Sequence, residues 1–355
     1  MTLSVLVLNL VFLDPITVQF RRDAVLLELL PLEYDSNSTC TWDVKYDDRD
    51  TAGEKAEGYV VQSSDFSTHG RMQASIAWAH YEGFASVTGT SLRIAAANSR
   101  IGAANALMNE ELNDAVKEVA VKLGTHAYSG SAAASPRQIE GIARAVDSTG
   151  TYAGIDSSTY TWWASGEQTL AATSLSFANI REKLFRPFKD ATGMYPEFVI
   201  CPGAVFDKVA ALFDDQTRIL VDTISLGDGN GGVRQVDLKR AGARAILVDG
   251  VPFVEDRFCT ANTMYALHTD CLSWRQVPPA WASMDPGQIQ QAVEQVTGDK
   301  VDINEITAMM AKARKSPTVQ INALGKDGDT SKLQVVIDIQ LKLKRRNAAS
   351  KLTLT

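Results

Sequence analysis

The chain has little of what most functional classes require. Its four cysteines (Cys40, Cys201, Cys259 and Cys271) are thinly spread over 355 residues. That is too few for a disulfide framework and points to a reducing compartment. Long apolar runs are also missing. Residues 3–13 form the nearest candidate, yet a bilayer span needs about 20 such residues. No basic region precedes that run and Asp14-Pro15 follows it, so a signal peptide is not expected. The segment reads instead as a strand or arm that buries itself on something, a neighbouring subunit included. A basic excess is absent too: 35 Lys and Arg stand against 42 Asp and Glu, for a net charge of −7 and a pI of about 5.3. Strong general affinity for nucleic acid is therefore not expected, although an acidic chain can lie beside nucleic acid that it must not grip. A hydrophobic content of 45% marks a globular protein with room for two or three domains, or for one large domain with extensions.

Catalytic signatures are equally scarce. The four histidines (His69, His80, His126 and His268) are scattered, with no pair at i, i+4. Cys259, His268 and Cys271 are near one another, but their spacing does not fit a zinc site. There is no G-x-S-x-G elbow and no Walker loop. One sequence, Gly227 to Gly232, matches G-x-G-x-x-G, and Asp249 follows at about the distance of a ribose-binding acid. A dinucleotide site needs a helix directly after the glycines to hold the pyrophosphate. Here Val233 to Leu238 follows, which reads as a strand. The loop is expected to join two strands, and a soluble dinucleotide-binding enzyme stays a remote alternative. No catalytic residue, cofactor-binding residue or metal ligand is expected.

What the chain does have is periodicity. Residues 21–32 read as a short helix ended by Pro31. Trp42, Val44 and Tyr46 alternate with polar residues, as do Ile76, Trp78 and His80, the mark of half-exposed strands. Between these runs lie about 25 mostly polar residues, longer than connections inside compact domains. Residues 98–124 carry Ile101, Ala104, Met108, Leu112, Ala115, Val119 and Leu123 at spacings of three and four, which predicts an amphipathic helix about 35 Å long. Asn98 or Ser99 would cap it, and Gly124 would end it as a left-handed residue. Residues 177–192 form a second amphipathic stretch with a kink or break at Pro187. Residues 198–201 read as a buried strand, 204–213 as a helix, and 218–226, 245–249, 251–254 and 263–268 as strands, with a turn at Asp249-Gly250. Asp285-Pro286 starts a further helical stretch. The last strands, 319–322 and 333–346, are joined by Gly325-Lys326-Asp327-Gly328. Lys342, Lys344, Arg345 and Arg346 read as the exposed face of a strand rather than as a nucleic-acid contact. No internal repeat or low-complexity tract is present.

Residues 141–163 stand apart. They hold glycines, hydroxyl residues and four large aromatics (Tyr152, Tyr160, Trp162 and Trp163), with no Cys, no His and two acids. That composition suits a shaped, hydrogen-bonded platform whose aromatics serve as core or as interface anchors. Its order of Gly154-Ile155-Asp156, Ser158-Thr159-Tyr160 and Trp162-Trp163 resembles a segment of tailed-bacteriophage major capsid proteins. Residues 248–253 leading into 264–267, and residues 345–353, are similar to the same family. Ala153 departs from the family's pattern, in which a glycine precedes Gly154.

The resemblance covers nearly the whole chain and implies an α+β class, the Hong Kong 97-type capsid fold. Its implied parts are an N-terminal arm (1–36), an extended two-stranded loop (37–92), a peripheral domain with a long spine helix (93–165), an axial domain (166–280), a helical insertion (281–316) and peripheral return strands (317–355). The implied function is a major capsid protein that self-assembles into hexamers and pentamers of an icosahedral shell around phage double-stranded DNA, with an encapsulin-type shell as the alternative. The implied partners are the chain itself, portal, scaffold and decoration proteins, and DNA held weakly and non-specifically, with no membrane. Any scaffold would be a separate protein. The implied location is the virion capsid, assembled in the host bacterial cytoplasm. Assembly contacts are expected at Trp42, Lys55, Asp156, Trp162, Trp163 and Arg345. Some relatives crosslink a loop lysine to a neighbour's asparagine; Lys55 is the natural candidate, although non-covalent clamping is the favoured role of its loop.

Overall fold

The computed structural model describes residues 25–46, 70–97, 101–213, 221–228, 232–238, 243–278, 319–327 and 329–355, with isolated positions at 287, 290, 291 and 307. The expected N-terminal arm before Val25, the loop tip with Lys55, the helix caps at Asn98 and Ser99, and nearly all of the helical insertion lie outside these residues.

Helix α1 (Val25–Leu29) stops short of the expected boundary. Pro31 disfavours helical backbone at the residue before it, and strand β1 (Leu32–Tyr34) begins at once. Strands β2 (Cys40–Lys45) and β3 (Arg71–Ile76) pair antiparallel, with Trp42 opposite Ala74. The second alternating run is not one strand. It breaks after Ile76 and restarts as β4 (Ala79–Thr88). Trp78 leaves the ladder to donate its indole N–H to the Asn37 carbonyl at 2.9 Å, and the Ala77 carbonyl accepts from Gln340 at 3.0 Å. The pleat is thereby reset. Ile76, Ala79 and Tyr81 are buried while His80 is exposed, so Ile76, Trp78 and His80 do not share a face.

Helices α2 (Gly89–Ala97) and α3 (Ile101–Ser129) follow. Helix α3 buries Leu112, Ala115, Val119 and Leu123 as the periodicity demands, together with Val116, Ala120, Ala127 and Tyr128. It runs through Gly124 instead of ending there, because Ala127 and Tyr128 continue the apolar stripe and tertiary packing outweighs the weak helix propensity of glycine. The missing side chain at Gly124 leaves room for the Phe258 ring. At 29 residues the helix is about 43 Å long. It lies across β4 at Gly83, where a Cβ would stand 2.9 Å from the Ala115 carbonyl.

Helix α4 (Ile142–Ala145), strands β5 (Thr151–Tyr152) and β6 (Ile155–Asp156), and strand β7 (Gly166–Leu170) make up the next stretch. Helix α5 (Phe177–Ile180) passes through a π turn (Arg181–Phe185) into α6 (Arg186–Thr192). The expected kink at Pro187 is thus met by a wider turn just ahead of the residue that has no N–H to donate. Strand β8 (Phe198–Cys201) and helix α7 (Gly203–Ala211) occur as read. Strands β9 (Thr223–Gly227) and β10 (Val233–Asp237) pair antiparallel, with Gly227 opposite Val233. Strands β11 (Ala245–Val248) and β12 (Val251–Glu255) form a hairpin on the left-handed pair Asp249-Gly250. The remaining strands are β13 (Thr263–Leu267), β14 (Leu272–Gln276), β15 (Gln320–Asp327), β16 (Thr330–Leu343) and β17 (Ser350–Leu354). Strand β15 runs on through Asp327, which pairs with Thr330, so the expected Gly-Lys-Asp-Gly connection shrinks to its tip.

Two sheets organise these elements. A five-stranded sheet has the order β1-β14-β16-β15, with β4 also paired to β16. A six-stranded sheet has the order β11-β12-β8-β13-β17-β7. One face of the second sheet packs Val199, Cys201, Phe253, Met264 and Leu352 against Leu184, Phe188, Val205 and Val209 of the helices. Its other face, with Phe198, Ile200 and Tyr265, joins the core around α3. The expected division of the chain cuts across these sheets. Strand β17, read with the peripheral return strands, sits between β13 and β7, whereas β14, read as axial, pairs with β16.

Candidate functional site

The segment 141–163 lies where the two sheets meet. Its first anchor is Gly141, whose N–H donates to the Gly130 carbonyl at 3.1 Å just past the end of α3. Buried Glu140 accepts from the Ala132 N–H at 2.6 Å and from Arg144 Nε at 2.7 Å, and Glu140 N–H donates to Gln340 Oε1 at 2.8 Å. Short side chains then bend the loop. Asp147 accepts from the N–H and hydroxyl of Thr149, and the Ser157 hydroxyl donates to the Gly150 carbonyl at 3.1 Å.

Strands β5 and β6 turn on Ala153 (φ +54°) and Gly154 (φ +82°), both left-handed, as a two-residue hairpin of this hand requires. The departure at Ala153 is therefore conformational: an alanine holds a position where glycine carries no steric penalty. Its carbonyl accepts from the Ser75 N–H at 3.0 Å, which ties the hairpin to β3.

Arg346 holds the assembly together. It is buried, and its guanidinium donates from Nε to Ala145 O (3.0 Å), from Nη1 to Gly150 O (2.8 Å), and from Nη2 to Arg144 O (3.1 Å) and Thr149 O (2.7 Å). Burial pulls its pKa down, against the raising effect of Asp147 and Tyr152, and the four carbonyls satisfy a cation that water cannot reach. Tyr152 lies beneath it, with its hydroxyl accepting from the Leu343 N–H at 2.9 Å. Lys342 is also buried. Desolvation, reinforced by Arg275, lowers its pKa to about 8, and its ammonium stands over the Trp42 ring at 5.5 Å. The reading of 342–346 as the exposed face of a strand is thus corrected. The end of β16 is covered on both sides, Lys344 reaches Glu33 at 3.5 Å, and Arg345 is the exposed member.

The expected contact residues separate into groups. Trp163 is buried and donates its indole N–H to the Tyr152 carbonyl at 3.2 Å. Trp42 is buried beside Tyr152. Packing within one subunit accounts for both. Trp162 is half-buried, stacked on Tyr46 with centroids 5.0 Å apart, and edge-on to Trp163 at 5.5 Å. With Arg345 and Asn347 this stack lines a recess of about 200 Å³. Asp156 makes a local turn, accepting from the Ser158 N–H and hydroxyl; those bonds hold its carboxyl below the ordinary range. Lys55 lies outside the described residues. Tyr46 and Arg346 are not among the expected contacts, and Tyr152, expected as core or as an interface anchor, is buried in the core. The flanking basic residues masked Arg346, and nothing local marks which of them turns inward.

A larger recess of about 780 Å³ lies between the π turn, Tyr195 and the Asp249-Gly250 turn. Arg181 spans it with a bidentate pair to Asp249 at 2.5 and 2.7 Å, and Lys189 stands over the Tyr195 ring.

Chemical machinery is not evident among the described residues. No group of three or more His, Cys, Asp or Glu is placed to hold a metal ion there. All four thiols are buried, and burial pushes Cys40 up to about 11. A strand, not a helix, follows the Gly227–Gly232 loop, so the helix terminus that would hold a pyrophosphate is missing from that place.

No family model and no curated protein matches the chain. Solved structures do. A chain of the cyanophage A-1(L) capsid asymmetric unit aligns over 94% of this chain and 92% of its own, at 17% identity and a TM-score of 0.64. The holo-SrpI encapsulin complex from Synechococcus elongatus aligns over 93% and 86%, at 10% identity and a TM-score of 0.53. A Mycobacterium phage Bobi structure aligns over 94% and 90%, at 8% identity and a TM-score of 0.53. The chain therefore has the Hong Kong 97-type fold of phage capsid subunits, over nearly its whole length.

Proposed function

We propose that this chain is the major capsid protein of a tailed bacteriophage, a subunit that closes with its own copies into an icosahedral shell of hexamers and pentamers around double-stranded DNA. The observation that carries the proposal is the match of fold with a chain of a cyanophage capsid, over 94% of this chain and 92% of that one. The net charge of −7 supports it, since a container wall must not grip the DNA packed against it. Assembly takes place in the host bacterial cytoplasm, and portal, scaffold and decoration proteins are the further partners. Half-buried Trp162 and exposed Arg345, beside the stacked Tyr46, are the described residues offered to a neighbouring subunit. A tryptophan, a tyrosine and an arginine at one recess match the composition of interface hot spots.

The encapsulin match favours a second reading, a shell that encloses protein cargo. Expression of the full chain alone, followed by negative-stain electron microscopy, tests the shared claim. Shells, tubes or capsomer rings support it, and a monomer that never associates at high concentration overturns it. Particles purified from the native source then separate the readings, by whether they hold DNA or a co-purifying cargo protein. Arg345→Glu should weaken association while leaving the subunit's melting temperature nearly unchanged, whereas Trp162→Ala should weaken association and also lower that temperature, because its ring packs on Tyr46 and Trp163.

A further inference from the structure

Three described stretches of chain pass between the two sheets. Residues 130–165 lead from α3 to β7, residues 268–271 from β13 to β14, and residues 344–349 from β16 to β17. The two sheets share the apolar core around α3, which is non-directional, so the polar ties that bind these crossings to one another add the directional part of the angle between them. All three meet at residues 344–346. Arg346, in the third crossing, donates its four guanidinium hydrogen bonds to carbonyls of residues 144–150 in the first, and its own carbonyl accepts the Ser165 hydroxyl at 2.6 Å. Two residues earlier, the Lys344 N–H donates to the Cys271 carbonyl in the second crossing at 2.7 Å. The carbonyls surround a planar fork. A lysine ammonium, with three donors on a single atom, cannot reach all four.

We propose that Arg346 is the positioning residue that fixes the angle between the two sheets, and through that angle the curvature at which copies of the chain join. The curvature half rests on the shell reading above; the angle half does not. A connection of this kind can turn a small local change into a larger displacement, because close-packed elements on either side of it shift as units rather than deform.

The test uses the full chain as Arg346→Lys, carrying spin labels at Glu118→Cys on α3 and Lys208→Cys on α7, both exposed. The expected result is a broadened or shifted interspin distance. Amide exchange over 144–150 should rise about tenfold or more, as loss of a charge-assisted hydrogen bond implies, while β8, β13 and α3 stay as protected as in the parent. Assembled products should lose a single diameter and include tubes or open sheets. A parent-like distance and diameter overturns the proposal, and so does faster exchange throughout both cores, which would make Arg346 a stability residue. Ser165→Ala deletes the bond to the Arg346 carbonyl and leaves the guanidinium in place; it should show the same pattern at smaller amplitude. If the lysine variant does not fold and Ser165→Ala behaves as the parent, the proposal also fails. If the parent itself never assembles, the shell reading fails, and the label distances still decide the angle.

Discussion

The two sheets meet water in different ways. Strand β4 alternates buried and exposed residues along its whole length, and β16 alternates half-buried and buried ones from Lys332 to Ile339, because α3 covers one face. Strands β8 and β13 are buried at every position, because helices cover one face of their sheet and the core around α3 covers the other. A two-layer sheet can carry His80, Glu82 and Phe84 on its open side, while the central strands β8 and β13 of the three-layer sheet hold almost no polar side chain. Tolerance to substitution should follow this contrast, and the two phenylalanines Phe253 and Phe84 are its sharpest pair.

Phe253→Ala, at a fully buried position of β12, should cost about 3–5 kcal/mol, read as a fall in the urea midpoint of the monomeric chain. Loss of under about 1 kcal/mol would break the comparison. Gly83→Ala tests the one covered face of the first sheet. Its Cβ would press on the Ala115 carbonyl and on Val119, so a loss of about 1–3 kcal/mol is expected.

Lys342→Met probes the place where the two environments merge. The wild-type lysine has a folded pKa of about 8 against an ordinary 10.5. Between those values the unfolded chain binds the extra proton, so stability should rise as pH increases from about 8 to 10.5. The methionine variant should gain about 1–2 kcal/mol at pH 7 and lose that rise, as expected when a buried charge gives way to an apolar side chain. A melting-temperature profile unchanged between pH 7 and 10.5 would contradict it. Ala153→Gly should stabilise by about 0.5–1 kcal/mol, by relieving left-handed strain at the β5–β6 turn; calorimetry can resolve that. The smallest effect belongs to Phe84→Ser. The side chain is 64% exposed, and its removal should stay within about 0.5 kcal/mol in the monomeric chain. A larger loss would show that the open face of β4 is covered.

The contrast also explains which elements were legible. Long α3 was readable because an amphipathic stripe repeats over many turns, yet its end was not, since Phe258 from a distant segment makes Gly124 a packing site. The fully apolar β8 was readable for the same reason of composition. Strands β7 and β17 were missed because Gly166 to Leu170 and Ser350 to Leu354 carry polar residues and pair only through distant partners. Trp162 and Arg345 were found as surface candidates, but their gathering around Tyr46 was not.

By itself the sequence determined what can be counted locally: the helix and strand periods, the acid excess, the dearth of catalytic residue types, and the glycine and aromatic order of residues 141–163 that resembles phage capsid proteins. The tertiary structure decided which charges turn inward. Lys342 and Arg346 differ from Lys344 and Arg345 by no local signal. Their fates depend on carbonyls and rings supplied from residues 42 and 144–152, brought near only when the two sheets meet. Burial of a cation is tolerated where such partners converge, and convergence is a property of the fold and not of the segment.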